Sequence, residues 1–238
     1  MTLAIGAPPP VTTQAVPETL HSAFARLFKL EDVNTTELLL VRHGEADYKA
    51  AQGTANPNDP PLSATGRHQA MRAATRLRSL PIDALYASTM RRARETAAYI
   101  AAAQDMPVTA SHDLREIDFD RALVAGPSDG GEDLTLELAR EFLSRASWDD
   151  LPGFEPASGF RRRVFQAMEA IVARHPGQRV AVVAHGGVIN AYLSTLLSIP
   201  RDMFFLPEHT SITTVRIWND LYALQSLNDY THLHASLS

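Results

Sequence analysis

Leu38-Leu39-Leu40-Val41-Arg42-His43-Gly44-Glu45 runs from four uninterrupted apolar residues straight into an arginine, a histidine and a glycine. An apolar run of strand length marks a strand buried on both faces, because a strand with one wet face alternates apolar and polar positions. Two further runs read the same way, Ala84–Ala87 and Val180–Ala184, and the second also ends in a histidine and glycines, His185-Gly186-Gly187. Between the runs, apolar residues recur at helical spacing. Ala70, Ala73, Ala74 and Leu77 do so after Ser63, and Met90, Ala93, Ala97, Ile100 and Ala101 after Ser88. Both serines suit the N-cap, where a hydroxyl accepts from a free helical N–H. Phe160, Val164, Met168, Ile171 and Val172 repeat the pattern up to His175-Pro176-Gly177, a helix stop. Strand and helix alternate, which predicts an α/β protein with a largely parallel sheet. Thr213–Trp218 and Tyr222–Leu227 flank Asn219-Asp220, predicting a terminal hairpin.

Outward from this frame, 238 residues with 45% hydrophobic and 21% charged character fit one domain, or one domain with an insertion. No apolar run approaches the roughly 18 residues that span a bilayer. The opening MTLAIGAPPPVTTQAVPETL lacks the basic start, apolar core and cleavage site of a secretory signal, so a cytoplasmic address is expected. The chain has no cysteine, which excludes disulfides, Cys-based zinc sites, Fe–S clusters and thiol nucleophiles. A net charge of −5 gives no reason to expect nucleic acid or a membrane as partner; oligomeric state is unreadable. Residues 1–36 read as an N-terminal arm with a short helix, and 37–238 as the main domain. Residues 63–94 carry seven arginines against Asp83 alone, whereas 116–155 carry eleven acids against three arginines. The acidic stretch reads as an insertion over the main body, a lid or simply a solvated surface.

Chemistry concentrates where the apolar runs end. In open α/β sheets ligands bind at the carboxyl ends of strands, and both histidines stand there with a glycine behind them. Gly186-Gly187 opens an apolar helix whose first N–H groups are free to meet an anion. Two histidines, Arg42 and an arginine from an adjacent strand end suit a phosphoryl group. Guanidinium matches phosphate oxygens with a planar fork, and imidazole can be nucleophile or donor.

Further blocks follow in order. They are Pro61-Leu62-Ser63-Ala64-Thr65-Gly66-Arg67-His68-Gln69-Ala70, Ser88-Thr89-Met90-Arg91-Arg92-Ala93-Arg94-Glu95-Thr96-Ala97, and Leu114-Arg115-Glu116-Ile117-Asp118-Phe119. With Arg42-His43-Gly44-Glu45 and His185-Gly186-Gly187, these resemble the motifs of the histidine phosphatase superfamily, the phosphoglycerate mutase-like fold, over about residues 37–218. The resemblance implies a three-layer α/β/α sandwich with a mostly parallel central sheet and an inserted acidic lid-like segment. It implies a phosphoric monoester hydrolase of the histidine acid type, with no cofactor, no metal and a small phosphorylated substrate. By it, His43 is the phosphorylated nucleophile, Glu116 the proton donor, and Arg42, Arg92, His185 and Gly186 hold the phosphate. A neutral His43 then needs its other nitrogen bonded to a backbone carbonyl in the Gly44 turn.

Other assignments compete. Arg91 and Arg94 rival Arg92 and are expected to face solvent; Asp118 and Asp120 rival Glu116 as the acid. Glu45 either orients the pocket or caps the loop, and His209-Thr210-Ser211 precedes a strand where the family lines its pocket. His21, His68, His112 and His175 read as surface residues, and a metal site at His232 and His234 is not expected. Lys49 stands where many members have asparagine, and Asp120-Arg121-Ala122 replaces the family's usual sequence after the acid block. The alternatives are a phosphoglycerate mutase-type phosphotransferase, against which Ile117 counts because mutases carry an arginine there, and a non-catalytic phosphate-binding or scaffold protein on the same fold. The physiological substrate is not legible.

Overall fold

Leu38 and Leu40 are buried on one face of the first strand and Leu39 and Val41 on the other, as an unbroken apolar run requires. The structure is a computed structural model and describes Thr19, Ser22 and residues 34–118, 140, 142, 144, 147–151 and 153–234. Strand β1 (Thr36–Arg42) lies parallel to β4 (Arg179–Ala184) and antiparallel to β5 (Ile212–Trp218). With β2 (Ala84–Ser88), β3 (Thr109–Ser111) and β6 (Leu221–Asp229), the described residues form a six-stranded sheet in the order β3-β2-β4-β1-β5-β6. The first four strands in sequence are parallel and the last two form an antiparallel hairpin. Asn219 turns that hairpin in the left-handed region, φ 53°, a conformation asparagine tolerates better than most residues.

Helices cover both faces. After the short α1 (Tyr48–Ala51), α2 (Ala64–Leu77) and α3 (Arg91–Gln104) pack Ala74, Leu77, Ala93, Ala97 and Ile100 against Leu39, Val41 and Val183. On the other face, α4 (Ala157–Arg174) and α5 (Gly186–Leu196) set Phe160, Val164, Met168, Ile189 and Tyr192 against Leu38, Leu40 and Val182. The result is the expected three-layer α/β/α sandwich. α4 ends before His175, and Gly177 turns the chain at φ 72°, where a side chain would be strained.

Three features differ from the sequence reading. Ser63 caps α2, its Oγ accepting from Gly66 N at 3.0 Å, but α3 begins two residues later than Ser88 suggested, with Met90 at its N-cap. Ser88 is engaged elsewhere, as described below. β3 is three residues with two exposed positions and no apolar signal, and α1 is too short to show a period. The N-terminal arm lies outside the described residues except at Thr19 and Ser22, as does most of the acidic stretch. Its described end is docked: Trp148 N donates to Asp202 Oδ2 at 2.7 Å, and the Trp148 ring stacks on Phe142 and Phe154 at 4.2 and 5.5 Å.

Leu40 is fully buried at the centre of the sheet between Val182 and Thr213. Leu40→Ala should lower the unfolding free energy by about 2–5 kcal/mol, the range for a truncation that leaves a cavity. Denaturant titration checks this, and an unchanged midpoint would contradict the assignment of the core.

Candidate active site

The parallel register pairs Arg42 with Ala184, so His43 and His185 leave the sheet side by side. His43 N donates to Ala184 O at 2.9 Å, which ties the turn to the neighbouring strand. The His43 Nδ1 lies 2.7 Å from Gly44 O. A carbonyl only accepts, so Nδ1 carries the proton and Nε2 presents a bare lone pair. Arg92, the second residue of α3, donates from Nε to that lone pair at 3.0 Å. Thr96 completes the link: its Oγ1 accepts from Gly44 N at 3.0 Å and donates to Arg92 O at 2.8 Å. The turn also meets α2 backbone to backbone. A Cβ on Gly66 would stand 2.0 Å from Glu45 O, so only glycine fits there.

His185 is fully buried, its ring centroid 5.1 Å from that of His43. Its Nε2 lies 2.8 Å from Ser88 Oγ, and Ser88 Oγ in turn accepts from Met90 N at 3.2 Å. This is why Ser88 does not cap α3. His185 Nδ1, Arg42 Nε and Asn58 Oδ1 are buried with no partner among the described residues. A buried polar atom left unpaired costs roughly 1–3 kcal/mol. Gathered in this region, such atoms mark a place built for a polar ligand. A Cβ on Gly186 would lie 3.8 Å from Arg42 Nε, so the first residue of α5 borders the same space. Burial, and next the Arg92 charge, push both His43 and His185 well below the ordinary 6.5, so both are neutral at neutral pH.

The sheet also brings His209 to this point, its ring 5.8 Å from His43. Its loop is stitched to the backbone of Arg42, through Thr210 N to Arg42 O at 3.0 Å and Arg42 N to Ser211 O at 3.2 Å. Burial, then Arg42, lower the His209 pKa to about 4. Arg42 Nη1 donates to Pro207 O.

Glu116 arrives from beyond β3. Its Oε2 accepts from Gly187 N at 3.1 Å and its Oε1 from its own loop at Ile117 N, also 3.1 Å. A Cβ on Gly187 would come within 2.3 Å of Glu116 Oε1, so glycine at this position is what admits the carboxylate. The loop is held by Arg163 of α4, which donates to the carbonyls of Asp113 at 2.9 Å, Arg115 at 2.8 Å and Glu116 at 3.2 Å. The same guanidinium pairs with Glu155 at 2.7 Å, and Glu155 N donates to Asp118 O at 2.8 Å. A cavity of about 50 Å³ opens between Tyr48, Asn58, Arg92, Arg115 and Glu116.

Of the residues singled out in the sequence, Arg42, His43, Arg92, Glu116, His185 and Gly186 thus converge at the carboxyl ends of β1, β2 and β4. Arg91, Arg94 and Lys49 are exposed, and Arg91 pairs with Glu95 at 2.7 Å. Glu45 serves the cap of α2, accepting from Ser63 Oγ at 2.5 Å. Asp118 is exposed, while Asp120, Arg121 and Ala122 lie outside the described residues, as does His21. His68, His112 and His234 are exposed. His175 is half-buried rather than superficial, bonded to Tyr86 Oη at 2.9 Å. His232 is buried with Nε2 3.2 Å from Thr210 Oγ1. Among the described residues no cluster of three or more His, Asp or Glu is arranged to hold a metal ion. Thr96 lies inside a quoted motif that gives it no role, and Ser88 is expected from the sequence only as a helix cap. Tyr48, Asn58 and Arg163 carried no signal, because they meet the site only through tertiary packing, and Arg115 lies inside a quoted motif that gives it no role.

Two buried histidines, Arg42 and Arg92 of α3 gathered at the strand ends of an α/β sheet form a set whose chemistry suits an anion. The chain belongs to the histidine phosphatase superfamily (branch 1), whose profile matches residues 38–230. It is 33% identical over 215 residues to phosphoglycerate mutase-like protein 4 of Arabidopsis thaliana, covering 87% of this chain and 90% of that one. Among solved structures, YhfR of Bacillus stearothermophilus shares 27% identity at a TM-score of 0.70, covering 83% of this chain and 99% of that one. A mycobacterial glucosyl-3-phosphoglycerate phosphatase, solved as a complex with VO3, shares 26% identity at a TM-score of 0.64, covering 81% and 98%.

The buried histidines make stability depend on pH. His43, His185, His209 and His232 all have folded-state values below the ordinary 6.5, chiefly through burial, His209 and His232 near 4. The unfolded chain therefore binds protons more readily, and their contribution, fully present above about pH 6.5, is lost as pH falls toward the folded values. Denaturant midpoints should drop steadily from pH 6.5 to 4. A flat profile there would show that these rings are not neutral and buried.

Proposed function

We propose that the protein is a phosphomonoester hydrolase that needs no metal and works through a phosphohistidine on His43. The observation that carries this reading is the bond from His43 Nδ1 to Gly44 O, which leaves Nε2 unprotonated in a pocket walled by Arg92 and His185. In phosphoryl transfer the protein chiefly positions groups and neutralises charge on the equatorial oxygens. Arg42 and Arg92 supply two positive charges for a phosphate dianion. Ser88, having accepted from Met90 N, has its own proton free to donate to His185 Nε2. In that tautomer the His185 proton sits on Nδ1, which has no partner among the described residues, and donates from there to a phosphate oxygen.

When phosphate enters, Arg92 exchanges its contact with Nε2 for one with a phosphate oxygen. Nε2 attacks phosphorus, the bond to the ester oxygen breaks, and that oxygen takes a proton from Glu116 as the alcohol leaves. Water then attacks the phosphohistidine. Its proton returns to Glu116, the P–N bond breaks, its electron pair returns to Nε2, and inorganic phosphate is released. A buried neutral histidine suits this cycle, because the attacking lone pair is not competed for by protons near neutral pH. The mutase name of the Arabidopsis relative favours a second reading, in which the phosphoryl group passes to a substrate hydroxyl instead of water. Release of free phosphate against transfer to a second hydroxyl separates the two.

Acid-labile, base-stable phosphate should be trapped on His43 by rapid quenching of the wild-type enzyme, and His43→Ala should abolish turnover while keeping the fold. Label on a serine or carboxylate would overturn the mechanism. Glu116→Gln should slow hydrolysis of alkyl phosphates by about 10²–10⁴-fold, the usual worth of general acid catalysis. Cleavage of p-nitrophenyl phosphate, whose phenolate leaves without a proton, should suffer far less. If Asp118→Asn shows that split and Glu116→Gln does not, the acid is Asp118.

A further inference from the structure

Thr210 is fully buried and takes φ 61°, in the left-handed region. Of the five described non-glycine residues with positive φ, it alone is β-branched. A branched side chain in that region crowds its own backbone, and such a conformation persists only where the surroundings over-determine it. Here the surroundings come from the chain beyond β6. Asp229 Oδ1 accepts from Thr231 N at 3.0 Å and from Thr231 Oγ1 at 2.7 Å, opening the single 3-10 turn Thr231–Leu233. Arg72 of α2 fastens that turn, its Nε donating to His232 O at 2.6 Å. The buried His232 ring then bonds Thr210, Nε2 to Oγ1 at 3.2 Å. His232 Nδ1 has no partner among the described residues, so Thr210 is the ring's one hydrogen bond there.

Thr210 in turn governs Arg42. Thr210 N donates to Arg42 O at 3.0 Å, Arg42 N donates to Ser211 O at 3.2 Å, and Arg42 Nη1 donates to Pro207 O. Backbone and guanidinium of Arg42 are thus both held by residues 207–211. If Thr210 left the left-handed region, the peptide groups on either side of it would turn, and these contacts could not all survive. The His209 ring, 5.8 Å from His43, rides on the same loop. Asn228 adds a second tie from the end of β6, its Oδ1 accepting from Glu208 N at 2.7 Å. We infer that His232 is a positioning residue for the anion site: by bonding Thr210 it keeps residues 207–211 in the shape that sets the Arg42 guanidinium in place. The ring stands two hydrogen bonds from Arg42 and acts through Thr210. This rests on the reading that Arg42 binds the phosphate.

Vanadate affinity, measured by titration calorimetry on the full chain, is the test. His232→Ala should weaken vanadate about 3- to 10-fold, the worth of one hydrogen bond. His232→Gln, whose amide reaches the place of Nε2, should recover most of that loss. The decisive pair lies at Thr210. Valine keeps the branch and the volume but lacks the hydroxyl, whereas glycine leaves a cavity yet adopts positive φ freely. If Thr210 and His232 only filled space, glycine would be the worse substitution. The inference expects the reverse, with Thr210→Val binding vanadate about 3- to 10-fold more weakly than Thr210→Gly. In the Thr210→Gly background, His232→Ala should add less than about a twofold loss, because the bond it removes is already gone. Wild-type vanadate affinity in His232→Ala, or weaker binding by Thr210→Gly than by Thr210→Val, would overturn the inference. So would a lowered denaturant midpoint in His232→Ala with vanadate affinity kept, which would make the ring a purely structural residue. Should His232→Ala fail to fold, the Thr210 pair and His232→Gln still decide. Arg42→Gln separates this inference from the reading beneath it. Unchanged vanadate affinity in Arg42→Gln would refute the phosphate role of Arg42, whereas a loss there with none in His232→Ala would refute the role of His232 alone.

Discussion

The parallel pairing that sets Arg42 opposite Ala184 is the constraint on which the rest of the site depends. Because β1 and β4 end in register, two histidines 142 positions apart in sequence emerge with their rings in edge contact. β2 ends alongside them, its Ala87 opposite Val183, which brings Ser88 under His185 and the first turn of α3 over His43. A slip of one residue in the β1–β4 pairing would reverse which side chains enter each core. The site's geometry and the burial of Leu38, Leu39, Leu40 and Val41 are therefore secured together.

Burial does two things to these histidines at once. It expels their charge, leaving lone pairs where nucleophilic and hydrogen-bonding chemistry needs them, and it stores a penalty that appears when the protein is acidified. Arg92 contributes to both effects, since its charge opposes protonation of the same rings. Buried atoms of Arg42, Asn58 and His185 that have no partner among the described residues add to the cost. Such local frustration is common where a pocket is arranged for a ligand rather than for stability.

Glu116 is held by a different kind of support. No strand carries it; its loop is fastened by one arginine of α4 acting on three carbonyls, and the carboxylate rests on a backbone N–H of α5. His43 is thus built into the sheet, while Glu116 is suspended between two helices on one face. Beside Glu116 the cavity and an adjoining cleft are lined by Arg115 together with Asp113, Asp118 and Glu155.

The amino-acid sequence alone determined the alternating strands and helices, the double burial of β1 and β4, the terminal hairpin and the motif histidines and arginines. The elements and the two histidines follow from local period or from a residue type standing at a strand end, while Arg92 is picked out from its neighbours by the family resemblance. Lone serines at helix starts misled for Ser88, because hydroxyls cap helices and bond imidazoles equally well, and only the neighbouring β4 end decides between them. β3 escaped notice because a three-residue edge strand with exposed positions needs no apolar run. Tyr48, Asn58 and Arg163 reach the site through packing between segments far apart in the chain, and the proton on His43 Nδ1 is fixed by a carbonyl that the turn places 2.7 Å away. Those relations are distances, and a one-dimensional pattern carries residue types but no distances between its remote parts.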